Sequence, residues 1–254
     1  MNPLDPQVLA LLALAALLAG IIDSIAGGGG LLALPAILLA GAPPVTALAT
    51  NKLQGLFGTA SAALHYARAG QVDLRAQAAP ALIAAAAAGA GALLASRLPA
   101  EAIRLGLPVL LIGVACYFAL RRGLDDRNRA ERLSAPAFAA TAVPGIAFYD
   151  GVLGPGTGSF FMLGFVTLRG HGLLRATAHT KLLNFASNVG AMAVFAAVAE
   201  PWWAAGLVMG VAQAAGAQIG ARAAVRVGAR LIRPLLVVTS VAMALRLLWQ
   251  ALQG

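Results

Sequence analysis

The chain has 254 residues, 60% hydrophobic and only 11% charged, with a mean hydropathy of +0.84 and a net charge of +9. Soluble domains carry roughly 25% charged residues, so a single aqueous core cannot hide this apolar surplus, and the chain reads as integral to a membrane. The positive charge is scattered as arginines through short loops between apolar runs, which sets nucleic acid aside as a partner.

Long Ala/Leu runs without period-two alternation make the apolar segments helices rather than barrel strands. The start, Met1-Asn2-Pro3-Leu4-Asp5-Pro6, has no basic n-region, so the first apolar run is expected to be retained. The first half holds segments at about Gln7–Ile22, Leu31–Ala40, Thr46–Tyr66, Ala76–Leu98 and Ile103–Leu120. Arg121–Arg132 follows, with five arginines and three acids, and divides the chain into residues 1–120, a linker 121–132 and residues 133–254. The second half holds segments at about Pro136–Val152, Phe160–Leu168, Ala176–Ala199, Trp202–Ala224 and Leu231–Gln250. The second segment of each half is too short to cross a bilayer alone. Cys116, the only cysteine, lies in an apolar run, so neither a disulfide framework nor a thiolate metal site is expected.

The halves repeat one another. Asp23 and Gly27 find counterparts 127 positions on, at Asp150 and Gly154. Ala49-Thr50-Asn51-Lys52-Leu53 corresponds to Ala178-His179-Thr180-Lys181-Leu182, 129 positions on, and Gly91 and Arg104 to Gly220 and Arg233 at the same spacing. If each short segment returns as a hairpin to the side it started from, the loops around 68–75, 121–132, 169–175 and 222–233 share one side and carry thirteen arginines. The positive-inside bias selects that arrangement. It places the linker in the cytoplasm and both termini outside, and it makes the halves run in opposite senses. Trp202, Trp203 and Trp249 then fall near the outer interface. The expected fold is an all-α integral membrane bundle of two inverted five-segment repeats, each with a Gly-rich broken or re-entrant helix pair. Gly89, Gly91, Gly206-x-x-x-Gly210 and Gly216-x-x-x-Gly220 supply small surfaces for close helix contact.

The chemistry concentrates at the interruptions. Asp23-Ser-Ile-Ala-Gly-Gly-Gly-Gly and Asp150-Gly-Val-Leu-Gly-Pro-Gly-Thr-Gly each join a carboxylate to a glycine-rich break. Broken backbone is tolerated inside a bilayer only where protein covers it or a cavity adjoins it, and paired breaks in opposed repeats point to a transport site. Without Cβ atoms, the N–H groups of Gly27, Gly28, Gly29, Gly30, Gly154, Gly156, Thr157 and Gly158 can converge on an anion at a helix N-terminus; close helix crossing is the other use of such glycines. Lys52 and Lys181, the only lysines, occupy matching positions and are candidates to attract an anion, although each can instead snorkel or pair with an aspartate. Asp23 and Asp150 are read as partners of those lysines, as caps of the following half-helix, or as proton carriers. Asn51 and Thr180 complete the candidate shell, with Thr50, Ser159 and Asn184 nearby. His179, opposite Thr50 in the repeat, is a further candidate for charge coupling or a hydrogen-bonded packing residue.

Asp23 through Pro35, Ala47-Leu-Ala-Thr-Asn-Lys-Leu and Tyr66-Ala-Arg-Ala-Gly-Gln-Val-Asp resemble the sulfite exporter TauE/SafE family of membrane permeases, and Asp150 through Gly158 resembles that family's second repeat. His179-Thr-Lys follows the pattern more loosely than Thr50-Asn-Lys. The resemblance spans nearly the whole chain and implies a bacterial inner-membrane carrier exporting sulfite or an organosulfonate. No cofactor is expected. A negative-inside potential favours a departing anion by ~2.3 kcal/mol per charge per 100 mV. Anion uptake, a channel-like pore, and a non-transporting intramembrane enzyme or scaffold are the alternatives. An enzyme is disfavoured because the chain has no His-Glu-x-x-His and no histidine cluster.

Overall fold

A computed structural model of the chain describes residues 5–99, 101 and 128–228. The expected segments Ile103–Leu120 and Leu231–Gln250 lie outside the described residues, as do Cys116, Arg104, Arg233, Arg246, Trp249 and linker residues 121–127. Every element among the described residues is a helix: α1 Pro6–Ala26, α2 Gly29–Leu39, α3 Pro44–Arg68, α4 Ala78–Arg97, α5 Ala135–Val152, α6 Thr157–Thr167, α7 Leu173–Val198 and α8 Trp203–Val227. Four of these, α1, α4, α7 and α8, are long and apolar enough to cross a membrane. α3 is long enough too, but Thr50, Asn51, Lys52, Gln54 and Thr59 lower its hydropathy, and all five are buried.

Local sequence accounts for most helix ends. Asp5 accepts from the Gln7 N–H and Pro6 occupies the first turn, which fixes the start of α1. Ser134 and Pro136 do the same for α5. At the end of α3, Gly70 takes φ +70° and the Gln71 N–H returns to the Tyr66 carbonyl, stopping the helix at a tight turn.

The packing units do not follow the order of the chain. α8 lies between α1 and α3, and α4 lies between α5 and α7. One group therefore comprises α1, α2, α3 and α8, the other α4, α5, α6 and α7, and α3 against α7 is the principal contact between them. Each half of the sequence thus lends its fourth described helix to the other group.

The α1–α8 and α4–α5 contacts depend on glycine. A Cβ on Gly216 would stand 2.0 Å from the Leu17 carbonyl oxygen, and one on Gly220 would stand 2.4 Å from that of Ile21. On the other side, a Cβ on Gly91 would meet the Phe148 carbonyl oxygen at 2.2 Å, and one on Gly151 would meet that of Ala88 at 2.0 Å. Backbone cannot retreat as a side-chain tip can, so these helices touch only because the glycines lack a side chain. Gly216→Ala is expected to cost ~1–3 kcal/mol of stability by overpacking. Thermal unfolding in detergent checks this, and an unshifted melt would show that α1 and α8 do not approach so closely.

Hydrogen bonds fix which ends lie together. The Leu133 and Arg132 N–H groups both donate to the Leu168 carbonyl, at 3.0 and 2.9 Å, so the chain entering α5 meets the chain leaving α6. Gln77, before α4, bonds His179 in the first turns of α7. Late in α8, Gln218 Nε2 donates to the Ser61 hydroxyl at 2.9 Å, beside the last turns of α3. Arg68, Arg75, Arg129, Arg132, Arg169, Arg175, Arg222 and Arg226 consequently gather toward one end of the molecule. At the opposite end, the Trp202 N–H donates to the Thr50 hydroxyl at 2.9 Å.

Candidate functional site

The two interruptions are shorter than the sequence reading made them. α1 continues through Asp23 to Ala26, only Gly27 and Gly28 are unwound, and α2 begins at Gly29. α5 likewise carries Asp150 within its last turn, and residues 153–156 separate it from α6. Gly27, Gly154 and Gly156 take φ values of +80°, +88° and +84°, the left-handed region that favours glycine. Hydroxyls tie the freed carbonyls: Tyr66 donates to the Ser24 oxygen at 2.8 Å, Tyr149 to that of Pro155 at 2.5 Å and Thr157 to that of Gly154 at 2.6 Å.

The breaks meet one another. A Cβ on Gly27 would lie 2.4 Å from the Gly158 carbonyl carbon, and one on Gly158 would lie 2.6 Å from the Gly27 Cα. Ser159 adds a bond across the junction, its hydroxyl donating to the Ala26 oxygen at 2.8 Å.

Both lysines are spent on carboxylates, and the pairs are crossed. Lys52 Nζ lies 2.8 Å from Asp150 Oδ1, and Lys181 Nζ lies 2.9 Å from Asp23 Oδ2. Each pair therefore joins the α1–α3/α8 group to the α4–α7 group. The remaining oxygens distinguish them. Asp23 Oδ1 accepts the Gly29 N–H at 3.1 Å and so caps α2, whereas Asp150 Oδ2 accepts the Ser187 hydroxyl at 2.5 Å. Lys181 is fully buried at 0% exposure.

A polar cavity of about 40 Å³ opens beside the junction. Of the residues singled out from sequence, Gly27, Gly30, Asn51, Lys52, Gly154, Gly156, Thr157 and Gly158 line it, together with Asp23 and Asp150. Gly28, Gly29, Thr180 and Lys181 do not: Gly28 is the residue just before α2, Gly29 is the first residue of that helix, and Lys181 reaches Asp23 from outside the lining. His179 stands apart near the arginine-rich end, bonded to Gln77 and 4.7 Å from the His171 ring.

Six lining residues were not in the sequence-derived set: Gln54, Gly55, Thr59, Asn184, Asn188 and Gln213, although Asn184 had been noted as a neighbour. A helical stripe was the available signal for four, Gly55, Thr59, Asn184 and Asn188. Asn51, Gly55 and Thr59 recur at spacings of four on α3, and Asn184 and Asn188 do so on α7. Gln213 comes from α8, and nothing local marks it.

Taken together, the wall offers five carboxamides, two threonines and one ammonium, against two carboxylates that already hold cations. Gln54 Oε1, Asn184 Oδ1 and Gln213 Oε1 are buried without a partner. These three atoms are acceptors, so the cavity suits a polar guest, water included, that donates hydrogen bonds as well as accepting them. Among the described residues no cluster of His, Cys, Asp or Glu can hold a metal.

His171, in the loop before α7, stacks on Phe165 at 5.5 Å with an interplanar angle of 13°. Burial, with Arg175 and Arg169 nearby, pushes its pKa down from 6.5 to about 4. The unfolded chain then binds a proton that the folded chain refuses. Stability should therefore fall as pH drops from 6.5 toward about 4. His171→Gln is expected to flatten that part of a melting-temperature profile, and an unchanged slope would place the titrating group elsewhere.

The sequence profile of the family described as sulfite exporter TauE/SafE matches residues 12–247. Among curated proteins, the chain is similar to the probable membrane transporter protein ORF9 of Sinorhizobium sp, with 55% identity over 98% of this chain and 95% of that protein. It is 43% identical to the probable membrane transporter protein YfcA of Escherichia coli strain K12, over 97% of this chain and 92% of the relative. A probable membrane transporter protein of Haemophilus influenzae is 38% identical over 96% of this chain and 95% of its own length. No solved structure matches the chain significantly.

Proposed function

We propose that this chain, which belongs to the sulfite exporter TauE/SafE family, carries a small sulfur oxyanion outward across the bacterial inner membrane by alternating access. The observation that carries this reading is the amide-rich cavity where two interrupted helices touch. Such junctions of broken helices are where secondary transporters hold their substrates. A water needs about 10–15 Å³ of such space, so about 40 Å³ suits a guest of a few non-hydrogen atoms. Sulfite has that size. A two-carbon sulfonate requires a more open state of the same site.

Charge balance favours the same class. The two lysines and two aspartates cancel, so recognition falls to neutral donors: the N–H groups of the Asn51, Gln54, Asn184, Asn188 and Gln213 amides and the backbone N–H groups of Gly30 and Gly158, since those of Gly29, Leu31, Thr157 and Ser159 are already bonded. Lys52 is the only ammonium on the wall. Neutral donors held in place bind an oxyanion with little reorganisation, while a fully charged pocket would release it slowly.

The repeats run in opposite senses in this reading, with α1–α2 and α5–α6 as hairpins that enter and leave on one side. The meeting of the chain before α5 with the chain after α6 supports this. So does the arginine-rich end, which the positive-inside rule assigns to the cytoplasm, with the termini outside. The bodies that rock are the two packing groups, divided at the α3–α7 seam, rather than residues 1–120 against 133–254.

A thermal-shift screen of purified protein against sulfite, sulfate, thiosulfate, sulfoacetate and taurine tests the substrate class. Sulfite is expected to raise the melting temperature most. Efflux from proteoliposomes should then show trans-stimulation by sulfite, and flux without it would replace a carrier by a pore.

A further inference from the structure

The two ion pairs have the same residues and nearly the same length, yet they hold different things. Asp23 is committed twice, to the Lys181 ammonium and to the Gly29 N–H at the start of α2. Opening that pair would strip a helix cap and leave a fully buried ammonium that does not itself line the cavity. Asp150 holds no backbone: its partners are Lys52 and the Ser187 hydroxyl. Lys52 and Asp150 both stand on the cavity wall, and a Cβ on Gly154 would come within 3.1 Å of Lys52 Nζ, so the ammonium lies against unwound backbone.

We propose that Asp150 is an exchangeable counter-ion: a bound oxyanion takes the Lys52 ammonium from it, and the displaced carboxylate accepts one proton from water. The inference rests on the carrier reading above. The Lys52–Asp150 contact breaks, an anion–Lys52 contact forms, and an O–H bond forms on the carboxyl group, so the site gains one anion and one proton. A bare carboxylate facing an anion in a buried site has no other means of losing its charge. Around Asp150, α3 contributes Lys52, α7 contributes the Ser187 hydroxyl, and α5 contributes the neighbouring Tyr149, whose hydroxyl is bound to Pro155. Asp23 lines the same cavity with its charge held by Lys181, and α4 meets this part of α5 through Ala88 and Ala92, which carry no charge. Among the described residues Lys52 is thus the only cation within reach of the guest. Lys181 is a positioning residue.

One consequence bears on energetics. A monoanion that crosses with one proton moves no net charge, so the membrane potential neither drives nor opposes it, whereas the sulfite dianion with one proton moves a single negative charge, which an inside-negative potential favours outward.

Titration calorimetry of sulfite binding to the purified full chain, in two buffers of different ionisation enthalpy, counts the protons. Working well above the second ionisation of sulfite ensures that the ligand brings none itself. Wild type is expected to take up about one proton per anion bound, and Asp150→Asn none while still binding sulfite. Ser187→Ala is expected to keep the uptake and extend it to higher pH, since the carboxylate loses a donor. Sulfite binding to wild type without proton uptake overturns the inference and leaves the carrier standing. Uptake that survives Asp150→Asn overturns the assignment to Asp150. No binding of any oxyanion overturns the carrier reading and this inference with it. If Asp150→Asn does not fold, the wild-type proton count and the Ser187→Ala pH shift still decide.

Discussion

Lys52→Ala is expected to lower sulfite efflux from proteoliposomes by about 30-fold or more. The expected size follows from the environment of the ammonium. Removing one member of a buried, hydrogen-bonded charge pair at a binding site costs ~2–5 kcal/mol, and each 1.4 kcal/mol is about tenfold. Part of that loss comes from stranding Asp150, whose other partner is the Ser187 hydroxyl. Lys52→Ala combined with Asp150→Asn separates the two effects, because it removes the stranded charge as well. The double variant should regain the melting temperature of wild type to a large extent and still fail to transport. Efflux at the wild-type rate in the double variant would remove Lys52 from the site.

Lys181→Met is expected to behave differently, losing the fold before it loses transport. Lys181 is fully buried, and its departure leaves the Asp23 carboxylate unneutralised at the junction of the breaks. Breaking a buried pair by deleting one partner costs ~3–5 kcal/mol, a large share of the ~5–15 kcal/mol that holds a typical domain together. Adding Asp23→Asn should recover much of the loss, since the amide oxygen still accepts the Gly29 N–H that caps α2. Size-exclusion profiles and thermal melts of the two variants measure this. A Lys181→Met protein that melts like wild type yet carries no sulfite would make Lys181 a substrate contact and erase the difference between the two pairs.

That difference shows how far the repeat in the sequence reaches. Lys52 and Lys181 stand at matching positions, and so do Asp23 and Asp150, which supports equal roles for each pair. The backbone departs from this. Two residues separate α1 from α2, close enough for Asp23 to cap α2, while four residues separate α5 from α6 and leave Asp150 facing a side-chain hydroxyl instead. A two-residue difference in a loop is enough to exchange a backbone cap for a side-chain hydroxyl partner.

The sequence by itself determined the helical class, the position of both interruptions and the polarity of α3 and α7. Those properties follow from local chemistry: hydrocarbon demands apolar helices, glycine marks unwound backbone, and a polar residue on a long apolar segment must face inward. Asp23, Asp150, Lys52 and Asn51 were legible for that reason. Only the tertiary structure decided that each lysine pairs across the seam, that α4 and α8 are exchanged between the groups, and that Gln213 reaches the cavity from α8. Partner choice among equivalent charges depends on which helices lie side by side. That in turn depends on backbone contacts such as Gly216 on Leu17, where the absence of a side chain, invisible to any hydrophobic pattern, sets the distance.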